Sequence, residues 1–279
     1  MKHRAEIFLK DLCFAESPRW VGGELWFSDM QDFCVKSATE EGQVTLRVRT
    51  PREPSGLGWL PDGSLLVVSM TDQKILRWQG DKLTEHADLS SFTQTECNDM
   101  ITLPSGRSYV GNFGYDLRRG APKASTRLLR VDLDGTVSVA ATELLFPNGM
   151  VVTADGKTLL VAETRGPCIS AFDLLPDGSL ENRRVWAALD ETTMPDGIAL
   201  DAQGGLWVAS PRGRKVFRIL EGGVRTDEVD VSGFALACAL GGADGRTLFI
   251  CTSGELDTQK CRDERPSTIE TVSVEVPGL

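Results

Sequence analysis

The chain has 279 residues, with 30 Lys and Arg against 40 Asp and Glu, for a formal charge of −10. A composition 41% apolar and 25% charged belongs to a folded protein able to bury a sizeable core, as two ordinary domains or one large all-β barrel or propeller. The acidity argues against a nucleic-acid partner, whose affinity comes from basic side chains on phosphate. No run of 18 apolar residues offers a membrane span, and the start has no apolar stretch of signal-peptide length, so the expectation is a soluble, cytoplasmic protein with no membrane partner.

In chain order, Ala5-Glu6-Ile7-Phe8-Leu9 reads as a strand that precedes every repeat. Then a turn followed by an apolar strand recurs six times: V-G-G-E-L-W-F-S-D, P-D-G-S-L-L-V-V-S, P-S-G-R-S-Y-V-G-N, A-D-G-K-T-L-L-V-A, A-Q-G-G-L-W-V-A-S and A-D-G-R-T-L-F-I-C. The marker glycines are Gly23, Gly63, Gly106, Gly156, Gly204 and Gly245, at intervals of 40, 43, 50, 48 and 41 residues. With about 5–6 residues per strand, a unit of that length holds four strands and their turns. Glycine at the marker suits a hairpin turn with positive φ.

A second alternating run follows each marker strand, such as K-I-L-R-W or C-I-S-A-F-D-L, and a third follows in five copies, such as V-T-L-R-V-R. The sixth copy ends before its third, so the spare N-terminal strand is expected to complete it and leave no open sheet edge. Helical periodicity is nowhere sustained. Residues 254–267, charged and containing Pro266, read as a solvated loop, with a lid as the alternative. The predicted fold is all-β: one six-bladed β-propeller domain over residues 1–279, closed by the N-terminal strand joining the C-terminal blade.

Seven scattered cysteines without a C-x-x-C pair read as buried free thiols in a reducing compartment. With His3 and His86 the only histidines, a His-rich zinc site and a Ser-His-Asp triad are both disfavoured; His86, in K-L-T-E-H-A-D-L, reads as a surface residue on an edge segment.

A strand also precedes each marker turn, and in a propeller this strand lies nearest the axis. Eight residues before their marker glycines stand Ser55, Asn98, Asn148, Asp196 and Ala237, and seven before Gly23 stands Glu16. Equivalent positions in a ring of blades face one central space, so Glu16, Asn98, Asn148 and Asp196 should converge there, with Ser55 beside them. Carboxylate and amide oxygens around one cavity repel unless a cation neutralises them. Oxygen ligands without sulfur or imidazole suit a hard divalent ion, Ca²⁺, Mg²⁺ or Mn²⁺, and such sites also accept Zn²⁺ or Fe²⁺. Taken alone, P-N-G and P-D-G are ordinary β-turn tripeptides; the shared offset is what distinguishes them.

Glu16-Ser17-Pro18, Asn98-Asp99, Asn148-Gly149 and Pro195-Asp196-Gly197, in this order and spacing, resemble the senescence-marker-protein/gluconolactonase family, which includes regucalcin. The resemblance spans essentially the whole chain and implies a six-bladed propeller with one axial divalent metal held by Glu16, Asn148 and Asp196, with Asn98 beside metal and substrate. It also implies hydrolysis of sugar lactones. Regucalcin-like members carry an Arg two residues before the N-D Asn, which contacts substrate; here that residue is Glu96, so the substrate groups welcomed there should differ. Asn112, Phe113 and Tyr115, in G-N-F-G-Y-D, are pocket candidates, with a plain strand-to-loop turn as the competing reading. Arg19 is a substrate-binding candidate, Trp20 a core residue, and Glu163 a solvent-facing strand end.

The favoured function is a metal-dependent lactonase in which the metal polarises the lactone carbonyl, Asp196 serves as general base and catalytic residue, and Asn98, Glu96, Asn112, Arg19 and Tyr115 contact substrate. The rival readings are a phosphotriester or fluorophosphate hydrolase on the same metal site, and a non-catalytic ion- or ligand-binding propeller.

Overall fold

In the computed structural model, which describes residues 2–279, six antiparallel sheets surround one axis and each inner strand packs against the inner strands of the two neighbouring blades. Blade 1 runs outward from the axis through Ala15–Val21, Glu24–Asp29, Cys34–Ala38 and Val44–Arg49. The inner strands of blades 2 to 6 are Pro54–Trp59, Cys97–Thr102, Pro147–Val152, Ile198–Leu200 and Phe234–Gly241. All six marker glycines take positive φ, from 70 to 84°.

Blade 6 is completed from the N-terminus. Glu6–Leu12 pairs antiparallel with Ser267–Ser273, in the register Ile7 to Glu270 and Leu9 to Ile269. The preceding Lys2–Arg4 adds a parallel fifth strand to the outer edge of blade 5, pairing His3 with Val229, which the repeat pattern does not announce. His86 lies on the outermost strand of blade 2, Lys82–Asp88, away from the axis.

The core is divided into six apolar clusters, one between each pair of adjacent blades. Successive side chains of a strand point to opposite faces, so Leu66 and Val68 pack toward blade 3 while Leu65 and Val67 pack toward blade 1. Likewise Leu159 and Val161 face blade 3, and Leu160 and Ala162 face blade 5. A strand covered on both faces needs no polar alternation, which explains the unbroken L-L-V-V and L-L-V-A runs.

Residues 254–267 depart from the loop reading. Thr258–Glu264 forms a short helix, α1, and the Asp257 carboxylate caps it by accepting the Gln259 and Lys260 backbone N–H groups at 3.1 and 3.0 Å. Cys261 is the buried residue of this helix. Seven residues are too few for a 3.6-residue period to emerge from the sequence. All seven cysteines are free thiols; Cys168 is half-buried and the other six are buried. Among the described residues no helix is long and apolar enough to cross a membrane.

Candidate active site at the propeller axis

The residues at the shared offset are aimed by irregularities in the inner strands. Pairing to the second strand slips between Glu16 and Arg19, Pro54 and Leu57, Cys97 and Met100, Pro147 and Met150, and Ala235 and Ala237. In blade 5 the regular strand starts only at Ile198, after Asp196-Gly197. Bulges bend a strand and redirect a side chain, and here they fall at the axial end of the blade. Left-handed backbone at a non-glycine residue marks the same places: Ser17 at φ 49°, Phe146 at 61° and Met194 at 46° stand within two positions of Glu16, Asn148 and Asp196.

The P-N-G and P-D-G tripeptides are therefore not turns. Gly56, Gly149 and Gly197 follow Ser55, Asn148 and Asp196, and each faces the backbone of the next blade. A Cβ on Gly56 would lie 2.4 Å from Met100 N, one on Gly149 2.6 Å from Ile198 N, and one on Gly197 2.6 Å from Ala237 Cα. Close approach of the blades at the axis requires these glycines.

Glu16 and Asp196, from the inner strand of blade 1 and the start of that of blade 5, are both half-buried and near enough for the charge of Glu16 to act on Asp196. Burial, then the charge of Asp99, push Glu16 up from 4.5 to about 8, against the lowering effects of the Ser17 backbone N–H and of Arg19. Burial and then the charge of Glu16 raise Asp196 well above the usual carboxylate range, although Asn148 and the Gly197 N–H bond to it. Asn98 and Asn148 are both buried, and the Asn98 Nδ2 has no hydrogen-bond partner. A buried donor without an acceptor is costly in a native structure and calls for a partner from outside the protein, water or ligand.

Two carboxylates of raised proton affinity, Glu16 (by burial and Asp99) and Asp196 (by burial and Glu16), form with the Asn148 amide an oxygen donor set whose repulsion a hard divalent ion would relieve, so these three residues fit such an ion. The set depends on the amide: among the described residues no three His, Cys, Asp or Glu side chains are grouped to hold a metal.

Two residues not singled out in the sequence tie this centre together. Asp99 Oδ1 accepts from Ser17 Oγ at 3.0 Å, Arg19 Nη2 at 2.8 Å and Met100 N at 2.8 Å, joining blade 3 to blade 1. Thr164 Oγ1 accepts from Asn148 Nδ2 at 3.1 Å and donates to Pro195 O at 2.8 Å, joining blades 4 and 5. Asp99 was visible as the second letter of the N-D motif; nothing in the repeat pattern pointed to Thr164.

The remaining candidates separate by place. Arg19, held by Asp99, lines a cavity of about 470 Å³ together with Trp20, Trp59, Met150, Cys238 and Leu240. Glu96, two residues ahead of Asn98, pairs with Arg118 Nε at 3.1 Å. Arg118 also grips Glu53, which in turn accepts from Gln31 Nε2 at 3.2 Å and Arg262 Nη2 of α1 at 3.3 Å. The anion at Glu96 is thus answered by a cation from another loop. Phe113 stacks on Phe146 with ring centroids 4.4 Å apart, and the buried Tyr115 ring lies 6.2 Å from Phe146. Asn112 is fully buried, with Nδ2 bonded to Arg127 O at 2.7 Å and Oδ1 accepting from Thr126 Oγ1 at 2.6 Å, so its amide is occupied in fastening the end of its strand. Glu163 corrects the solvent-facing expectation: it is 1% exposed, because the Arg183 guanidinium and the Leu145 backbone N–H both turn onto it.

The chain is 31% identical to a pentonolactonase of Haloferax volcanii over 163 residues, which are 57% of this chain and 54% of that one. It is 26% identical to regucalcin of Danio rerio over 195 residues, 68% of this chain and 65% of the relative, so these matches span less than two thirds of either relative's length. The fold superposes on the structure of a calcium-binding protein, regucalcin, from Agrobacterium tumefaciens with a TM-score of 0.83 at 20% identity, covering 100% of this chain and 96% of the other. Residues 14–254 match the SMP-30/gluconolactonase/LRE-like region, and with that match over most of its length the chain belongs to this family.

Proposed function

We propose that the chain is a divalent-metal-dependent lactonase that opens sugar lactones or related small lactones to hydroxy acids. The observation that carries this reading is the meeting of Glu16 and Asp196 with the Asn148 amide at the axis, beside the unpartnered Asn98 donor. Family membership and the name of the 31%-identical pentonolactonase supply the substrate class.

A divalent ion held by Glu16, Asn148 and Asp196 would supply Lewis-acid polarisation of the lactone carbonyl. Asn98 Nδ2, without a partner in the protein, donates to a substrate oxygen and sets its orientation. Asp196, the carboxylate beside the substrate carbonyl, takes the proton of the attacking water. The ring C–O bond then breaks, the water oxygen stays on the carboxylate product, and the proton passes to the departing alkoxide. Glu96 with Arg118, and the Phe113, Tyr115 and Phe146 rings, form the rim that meets the ring substituents.

The test is a lactone panel assayed on chelator-treated protein reloaded with Ca²⁺, Mg²⁺, Mn²⁺, Zn²⁺ or Fe²⁺ singly. Turnover that returns with an ion and is lost in Asp196→Ala supports the reading. Unchanged hydrolysis in Asp196→Ala, or in fully chelated protein, sinks it.

A further inference from the structure

We propose that Thr164 is a positioning residue that fixes the polarity of the Asn148 amide, so that Oδ1 is the atom left for a cation at the axial site. A threonine hydroxyl has one proton and two lone pairs. The Pro195 carbonyl can only accept, so the hydroxyl proton lies on the 2.8 Å bond to Pro195 O. Toward Asn148 the hydroxyl can then only accept, and the 3.1 Å contact must come from Nδ2. The NH₂ group is thereby assigned, one N–H to Thr164 and the other to the Asp196 carboxylate, and Oδ1 is the amide atom left for a cation.

The arrangement is protected and directional. Thr164 is 6% exposed and Asn148 also 6%, so water does not compete for either bond. The Thr164 backbone N–H donates to Phe146 O at 3.1 Å, anchoring the residue beside the inner strand that carries Asn148. Because Pro195 immediately precedes Asp196, one hydroxyl couples the amide to the carboxylate next to it. Without that hydroxyl the amide loses one of its two NH₂ acceptors, and a flipped amide would present N–H donors to a cation.

The inference rests on the proposed metal site only for what Oδ1 is presented to, and two readouts keep the two apart. Thr164→Val keeps the volume and removes the hydroxyl; Thr164→Ser keeps the hydroxyl and removes the methyl. In calorimetric titrations of chelator-treated protein with Ca²⁺ or Mn²⁺ alone, Thr164→Val should bind about 10- to 100-fold more weakly than wild type, the usual effect of removing a group that orients a metal ligand. Thr164→Ser should restore the affinity to within a few-fold.

In ¹H–¹⁵N spectra of the metal-free protein, the Asn148 side-chain pair, assigned by its loss in Asn148→Asp, should move toward free-amide shifts and exchange faster in Thr164→Val only. If wild type binds no divalent ion while the amide pair still responds, the metal reading fails and the positioning role stands. An amide pair that does not respond to Thr164→Val overturns the role, as does ion affinity equal to wild type in that variant or lost equally in both.

Discussion

Gly149 lies so close to the backbone of Asp196 that a Cβ there would sit 2.7 Å from the Asp196 carbonyl oxygen and 2.6 Å from Ile198 N. Both are main-chain atoms and cannot rotate aside. Gly149→Ala must therefore push blade 5 away from blade 4 at the point where Asn148 and Asp196 meet. Overpacking of this kind costs about 1–3 kcal/mol, a fall in Tm of about 2–4 °C per kcal/mol for a chain of this size. The added methyl touches no substrate, yet divalent-ion affinity and lactone turnover should fall together with Tm. A Gly149→Ala protein with wild-type ion affinity would show that axial spacing does not govern the site.

The raised proton affinity of Glu16 gives the metal-free protein an unusual pH dependence. Its carboxyl ordinarily titrates near 4.5 and is pushed to about 8 by burial and by Asp99, so between these values the folded chain holds a proton that the unfolded chain has released. Stability contributed by that proton is complete below the ordinary value and is lost as pH rises toward about 8. Urea melts in excess chelator at pH 5, 7 and 8.5 should show falling stability, with a much flatter trend in Glu16→Gln. An ion that binds there must displace the proton, so its affinity should climb over the same interval. Equal slopes for wild type and Glu16→Gln would remove the electrostatic account of the axis.

Arg118 answers two carboxylates at once, Glu53 at 4% side-chain exposure and Glu96 at 14%. Arg118→Met leaves both short of a counter-charge, while Arg262 still reaches Glu53 at 3.3 Å. Stability should drop by about 1–3 kcal/mol, the cost of buried groups left without a partner. KM should rise more for lactones carrying several hydroxyls than for δ-valerolactone, because the displaced groups belong to the rim and not to the axial centre. Equal effects on both substrates would place the Arg118 network outside substrate recognition.

The repeat was legible because its punctuation is backbone chemistry: each marker glycine occupies a positive-φ hairpin position that a side chain would strain. Glu16, Asn148 and Asp196 were singled out because equal offset in a ring becomes equal position in space. What repetition could not show lies where the blades differ. Arg118 comes from a loop of blade 3 and Arg262 from α1 of blade 6, and their shared partner Glu53 sits far from both in sequence. The helix α1 is too short to display a period, and the N-terminal parallel strand rests on a pairing between residues 2–4 and 228–230 that no local pattern encodes. The turn reading of Asn148-Gly149 failed for a physical reason: the glycine answers a neighbouring blade, and tripeptide propensity is blind to neighbours.

Glu163 shows the opposite error, a residue whose place at a strand end suggested water and whose bonds are internal. Its Oε2 accepts the Leu145 N–H at 2.7 Å, and its Oε1 accepts Arg183 Nη2 at 2.7 Å together with the Ser170 hydroxyl. These bonds fasten the loop between blades 3 and 4 just ahead of Pro147-Asn148. Glu163→Ala strands a backbone donor and a guanidinium; since Arg183 is 35% exposed and can turn to solvent, the cost should stay near about 1–3 kcal/mol. Activity per folded molecule and ion affinity should hold at temperatures well below Tm, because no axial contact is removed. Chemical denaturation paired with calorimetry on the same preparation separates the two effects. A Glu163→Ala protein of unchanged stability and reduced ion affinity would move this carboxylate from the scaffold to the site.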